Sequence, residues 1–140
     1  MPGSGAAPGH RTLAAGPTVV VAAFLASGVV HLVRPETFEP IVPRPLPYKR
    51  ELVYASGLAE LACAVGLLVP RTRRVAGAAS AVLLAAVFPA NVQMAIDTHR
   101  AVASRGSTTG RQIRRAIAFA RLPLQLPLIR WTLQARAEPA

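Results

Sequence analysis

Four apolar segments, separated by polar or proline-rich stretches, dominate the hydrophobic pattern of the chain. They cover residues 13–33, 52–69, 75–96 and 114–133. Within each segment the Leu, Val, Ala and Ile residues occur on all sides of a helix, which is typical of helices surrounded by lipid. The pattern therefore predicts an all-α, integral membrane protein in which four transmembrane helices form one bundle within residues 12–136.

The connecting segments differ in character. Residues 34–50 contain a series of prolines, which excludes a regular helix and predicts a structured loop at the membrane interface. Residues 70–74 form a short link, so the second and third helices are expected to be antiparallel neighbours. Residues 97–112 are polar and contain Gly and Ser, which predicts a flexible loop. Residues 1–11, rich in Gly, Pro and Ala, predict a disordered tail.

The net charge and the positions of the charged residues indicate whether the chain binds nucleic acid or a membrane. The net charge is +10, and the arginines cluster between the apolar segments, where membrane-flanking charges usually lie. The chain lacks the basic, aromatic-interleaved motifs of nucleic-acid modules. We therefore expect a multi-pass protein of the cell membrane whose partner is the lipid bilayer, with no nucleic acid. The positive residues are divided between both predicted sides, so the charge rule leaves the orientation open.

Two residues of opposite charge, Glu60 and Arg121, lie inside the second and fourth apolar segments. A charge near the bilayer centre costs roughly 2.5 to 3.5 kcal/mol on insertion scales, so it normally pairs, faces the protein interior or has a function. We predict that Glu60 pairs with Arg121, whose guanidinium can bind a carboxylate through two hydrogen bonds.

Antiparallel helices bring His31, Asn91 and Gln93 into the same half of the bilayer as this pair. These residues would line a polar cavity that opens toward residues 34–50. Asn91, near Pro89, and Gln125, near Pro123, are expected to bond backbone groups that proline leaves free. In the alternative interpretation the polar residues are architectural and fix the register of the helices.

The chain offers little for metal or thiol chemistry of its own. Its single cysteine, Cys63, lies in an apolar segment, so neither an intramolecular disulfide nor a dithiol pair is possible. The other two histidines fall in the tail and in a predicted loop, so we predict no metal or haem site at His31. His31 is expected to donate a hydrogen bond or to carry a proton for a quinone-like ligand, because histidine titrates near neutrality.

Several short motifs resemble those of the DoxX-like small membrane proteins of bacteria. They are G-V-V-H at 28–31, P-x-x-F-x-x-I-V-P at 35–43, S-G-x-x-E at 56–60, G-L-L-x-P-x-T-R-R at 66–74, V-F-P-A-N at 87–91, and R-L-P-L-Q at 121–125 with Trp131. The resemblance covers about residues 25–135 and implies a four-helix membrane protein linked to thiosulfate and quinone oxidation. The matching polar positions are His31, Glu60, Asn91, Arg121 and Gln125.

Two functions follow as expectations, and the sequence does not decide between them. The first is an accessory subunit, not an enzyme on its own, that docks a membrane or peripheral redox protein through loop arginines such as Arg73 and Arg74. The second is a quinone- or lipid-binding component of a membrane oxidoreductase that uses Glu60, Arg121 and His31. No cofactor is evident, although a quinone suits the second function, and a homo-oligomer is compatible with both. Transport is disfavoured, because the chain has no internal repeat.

Overall fold

Four α-helices make up most of the protein. The computed structural model describes residues 12–137, in which there is no β-strand; the predicted tail at 1–11 lies outside this range. The helices are α1 (Ala15–Val33), α2 (Lys49–Leu68), α3 (Arg73–Arg105) and α4 (Thr109–Ala137). By length and composition α1, α2 and α3 can each cross a membrane.

The segment expected to be a flexible loop, residues 97–112, is mostly helical. α3 continues to Arg105, and α4 begins only four residues later. Polar side chains support this extension from within: Gln93 Nε2 donates to Asp97 Oδ1 at 3.0 Å, and the Thr98 hydroxyl donates to the Met94 carbonyl at 2.8 Å. Alanine and arginine, which are frequent here, also favour helix. Gly106, with φ 75°, then ends α3.

The length of α3 has a consequence for its position in a bilayer. Its 33 residues rise about 50 Å, whereas the hydrocarbon core is about 30 Å thick. Its polar residues are at the C-terminal end, so the apolar N-terminal part alone is long enough for one span. α4 packs along α3 in the most extensive helix contact of the described residues, and its N-terminal part extends with it.

The proline-rich segment between α1 and α2 is an ordered cap. It contains two short 3-10 turns, Pro35–Thr37 and Glu39–Ile41, and contacts α1, α2 and α3. Arg50 Nε donates to Glu39 Oε1 at 2.8 Å, which ties the cap to the first turn of α2. The cap therefore covers the end of the helices at which α1 stops and α2 begins.

α1 and α2 meet at Gly28 and Gly57, where the absence of side chains lets the two backbones touch. A Cβ atom placed on Gly28 would lie 2.8 Å from the Gly57 carbonyl oxygen. A Cβ atom on Gly57 would lie 2.6 Å from the His31 Cβ and 3.0 Å from the Gly28 carbonyl oxygen. Membrane helices commonly pack closely through such small residues. This contact fixes the separation of α1 and α2.

The contact predicts a specific cost for a single methyl group. We expect Gly57→Ala to lower the free energy of unfolding by about 1–3 kcal/mol through overpacking, which outweighs the gain in helix propensity. Gly110→Ala is the matched control, because Gly110 is helical and the added methyl group would meet no described atom within 4 Å apart from its chain neighbours and the adjacent backbone of its own helix. Thermal unfolding in detergent, followed by circular dichroism, measures both variants. Equal unfolding midpoints for the two would contradict a tight α1–α2 contact.

Candidate functional site

His31 of α1 and Glu60 of α2 lie side by side in the interior. Their Nδ1 and Oε2 atoms are 3.6 Å apart, and only 8% and 6% of the two residues is exposed. Each follows its contact glycine, Gly28 or Gly57, by three residues, so the helix contact brings the two side chains together. A distance of 3.6 Å is too long for a hydrogen bond, and the interaction is therefore electrostatic.

The orientation of the His31 ring is held from two sides. Nδ1 lies 2.7 Å from the carbonyl oxygen of Ser27, one turn earlier in α1. A carbonyl oxygen only accepts, so Nδ1 carries a proton and donates it there. Phe38 of the cap stacks on the imidazole, with ring centroids 3.8 Å apart and ring planes inclined by 11°. The cap therefore takes part in positioning His31.

The Glu60 carboxylate has unused hydrogen-bonding capacity. Within residues 12–137, its Oε2 atom and the Ser56 hydroxyl are buried and have no hydrogen-bond partner. Leaving a buried polar group unpaired costs about 1–3 kcal/mol, so such groups call for a structural or functional reason.

The direct pair predicted between Glu60 and Arg121 does not form. The His31 ring nitrogen Nδ1 lies 3.6 Å from Glu60 Oε2, whereas the Arg121 guanidinium is beyond ion-pair distance of this carboxylate. The physical reason is the glycine contact, which brings α1 nearer to Glu60 than α4 is. From their positions in the predicted helices, His31, Glu60 and Arg121 were expected at a similar depth in the membrane. This expectation did not indicate which two of them would be in contact.

Asn91 of α3 and Gln125 of α4 form a separate, fully buried link. Asn91 Nδ2 donates to Gln125 Oε1 at 3.2 Å, and Gln125 Nε2 donates to the carbonyl oxygen of Leu84. The carbonyl that Pro89 leaves free is that of Ala85, four residues before it, whereas Gln125 bonds the carbonyl of Leu84. The bond therefore connects the two helices and does not satisfy the group freed by proline, as the sequence had suggested for Asn91 and Gln125. The link joins α3 to α4 at the level of Glu60.

A cavity of about 370 Å³ lies beneath the cap, between α2 and α3. Most of its lining is apolar and comes from both helices and from the cap. Its polar members are His31, Ser56, Glu60, Asn91 and Arg121. A largely apolar cavity with a few polar groups is typical of sites for small molecules. We call it the capped cavity.

A second cavity, of about 390 Å³, lies between α1, α3 and α4. Ser27 and Gln125 line it together with apolar side chains of the three helices. It shares five lining residues with the capped cavity, which are Phe38, Glu60, Val87, Asn91 and Arg121. We call these five the shared wall, and the second cavity the lateral cavity.

The five polar residues that match the DoxX-like motifs all line at least one of the two cavities. Glu60, Asn91 and Arg121 line both, His31 lines the capped cavity and Gln125 the lateral one. Gln93 instead bonds Asp97 on its own helix. Sequence reasoning missed Ser27 and Ser56. The signal that marks them is a repeated Ser-Gly-x-x-His and Ser-Gly-x-x-Glu pattern at 27–31 and 56–60.

Comparison with known proteins places this region in a family. A family model described as a domain of unknown function (DUF8561) matches residues 20–136, which include every residue that lines the two cavities. No curated protein and no solved structure matches the chain.

The link between Asn91 and Gln125 generates a stability prediction. Gln125→Leu removes both side-chain bonds and leaves the buried Asn91 amide without its partner, so we expect a loss of about 1–3 kcal/mol in the free energy of unfolding. Gln134→Leu, at an exposed position of the same helix, is the control and changes it little. Thermal unfolding in detergent compares the two. An unchanged midpoint for Gln125→Leu would show that the link does not hold α3 and α4 together.

Proposed function

We propose that this chain, which belongs to the family described as a domain of unknown function (DUF8561), is a multi-pass protein of the cell membrane that binds a small lipophilic molecule. In this proposal α4 completes a four-helix transmembrane bundle with α1, α2 and α3. Its contacts with α3 and α1 support the fourth position, as do exposed apolar residues such as Leu124 and Leu126. Its one deep charge, Arg121, is on the cavity side.

Glu60 is the observation that carries the proposal. It is the only acid in the lining of either cavity, it is 6% exposed, and one of its carboxylate oxygens has no hydrogen-bond partner among the described residues. A group of this kind reduces stability unless a ligand or a reaction uses it. The surrounding apolar lining favours a ligand that partitions into lipid.

The polar groups of the capped cavity define the head of that ligand. Glu60 Oε2 accepts a hydrogen bond, Arg121 donates, and the Ser56 hydroxyl can do either. A quinone and its hydroquinone offer carbonyl and hydroxyl oxygens that match these groups, and His31 is placed to exchange a proton with such a head. The resemblance to DoxX-like proteins supports the same choice. The oxidant or reductant would come from the quinone and a partner protein.

Replacing Glu60 should weaken ligand binding but should not lower the stability of the ligand-free protein. We expect a benzoquinone that carries one methyl group to raise the unfolding temperature of the full-length protein in detergent by mass action. Glu60→Gln should abolish this shift, while the ligand-free variant unfolds at the same or a higher temperature, because a buried charge has been removed. Glu51→Gln, an exposed acid on the same helix, is the control and retains the shift.

Two results would contradict the binding proposal. One is the absence of any shift in the wild-type protein over the soluble range of the probe. The other is an equal shift in the wild type and in Glu60→Gln, which would mean that the quinone acts through the detergent or through another part of the surface.

A second function, as an accessory subunit, is favoured by the polar extension of α3 and α4. Arg100, Arg105 and Arg114 are exposed there, beyond the apolar part of α3. Of the two arginines that the sequence suggested for docking, Arg74 is exposed, but Arg73 is buried, and its Nε donates to the Leu67 carbonyl at 2.9 Å. It therefore joins α2 to α3, and the extension is the better docking surface.

The docking function has its own test. Gentle detergent purification from native membranes, followed by native mass spectrometry, should show a stoichiometric protein partner. The double variant Arg105→Gln and Arg114→Gln should lose this partner, because the interaction is electrostatic. Arg74→Gln, at the opposite end of α3, is the control and keeps it. Retention of the partner by the double variant would exclude the extension as the docking surface.

A further inference from the structure

We infer that the lateral cavity holds the hydrocarbon chain of the ligand and that the ligand is a single-chain amphiphile with its polar head at the shared wall. The inference rests on the proposed function, since the head occupies the capped cavity described above. It adds a second binding site, between α1, α3 and α4, and a route of entry.

The lining of the lateral cavity away from the shared wall fits a hydrocarbon chain. α1 contributes Ala23, Phe24 and Ala26, and α4 contributes Leu124 and Leu128. Its polar members apart from the wall are Ser27 and Gln125, and the Gln125 side chain is already engaged with Asn91 and the Leu84 carbonyl. A methylene chain in this space loses no hydrogen bond and gains dispersion contacts with its surroundings.

The position of the lateral cavity indicates access from lipid. Ala23, Ala26 and Leu124 line it and are also exposed at the outer surface, so the cavity opens between α1 and α4. These two helices pack less extensively against each other than α3 against α4 or α1 against α2. The opening is in the apolar part of α1, at the level expected for acyl chains. A chain can therefore enter sideways from the bilayer.

The shared wall contributes polar groups that can hold the head of a ligand, which a purely apolar cavity would lack. Glu60 is more than nine-tenths buried, its Oε2 atom lacks a partner among the described residues, and it lines both cavities together with Arg121. A head bound to these two residues sits at the boundary of the two spaces. In the capped cavity the Ser56 hydroxyl has no partner among the described residues, whereas the two polar side chains of the lateral cavity outside the wall, Ser27 and Gln125, already lie within hydrogen-bonding distance of other groups. The head is therefore expected on the side of the capped cavity, and the chain extends toward α1 and α4.

The assignment is tested with benzoquinones that carry a methyl, a hexyl or a decyl chain. Dissociation constants for the full-length protein in one detergent are measured for the wild type and for Ala26→Leu, which fills the lateral cavity. Each probe partitions equally into the micelle in both samples, so the ratio of the two constants reports the protein alone. We expect a ratio near one for the methyl probe and a decrease in affinity of at least tenfold for the decyl probe.

Two further variants secure the interpretation. Ala22→Leu is the control, because Ala22 is exposed on the same helix and is not among the residues lining either cavity, and it should leave all three ratios near one. Ala23→Leu fills the lateral cavity from another position and should reproduce the effect of Ala26→Leu, which covers the case in which one variant does not fold.

The outcomes separate the two proposals. If the methyl probe binds in a Glu60-dependent way but the ratio does not change with chain length, the chain site is overturned and the capped cavity remains a binding site. If Ala26→Leu weakens the binding of the methyl and decyl probes equally, the lateral cavity does not hold the chain. The chain site is then overturned as well, and the capped cavity remains a binding site. If the methyl probe does not bind the wild type, both proposals fall.

Discussion

The close contact of α1 and α2 at Gly28 and Gly57 is the constraint on which the rest of the site depends. It brings two backbones to a separation that no side chain allows, and one helical turn later it places His31 beside Glu60. The cap then adds Phe38 against the His31 ring. α3 and α4 pack against this pair and supply Asn91 and Arg121 to the same level. The polar interior is therefore a consequence of helix packing.

The buried polar residues fall into two groups: those whose hydrogen bonds join helices, and those with atoms that lack a hydrogen-bond partner within the described residues. Asn91 and Gln125 bond each other and the α3 backbone, so helix association accounts for them. Glu60 and Ser56 have buried atoms without hydrogen-bond partners in the described part of the chain, and both residues line the capped cavity. Ser80 is likewise unpartnered, but it is not among the residues that line either cavity. An unsatisfied group therefore indicates a binding site only where a cavity gives a ligand access to it.

The sequence predicted the helical class and the apolar parts of α1, α2 and α3, because apolar periodicity and length are local properties. It failed for residues 97–105, where polarity was interpreted as a loop although Asp97 and Thr98 stabilise a helix. It also failed for the partner of Glu60. The partner of Glu60 depends on the distance between α1 and α2. That distance is set by Gly28 and Gly57, and the sequence alone does not show that these two glycines face each other.

α4 combines exposed apolar side chains with polar side chains that line the interior cavities. A smaller fraction of its residues is apolar than in α1, α2 or α3, and Arg121 and Gln125 interrupt its apolar part, yet both residues line the lateral cavity, and apolar side chains such as Leu126 are exposed. A guanidinium in a bilayer is tolerated when it faces the protein interior and another charge. Glu60 supplies a carboxylate to the same two cavities without a direct bond to Arg121. The residue that interrupts the apolar pattern of α4 most strongly is thus one that the fold places in the interior.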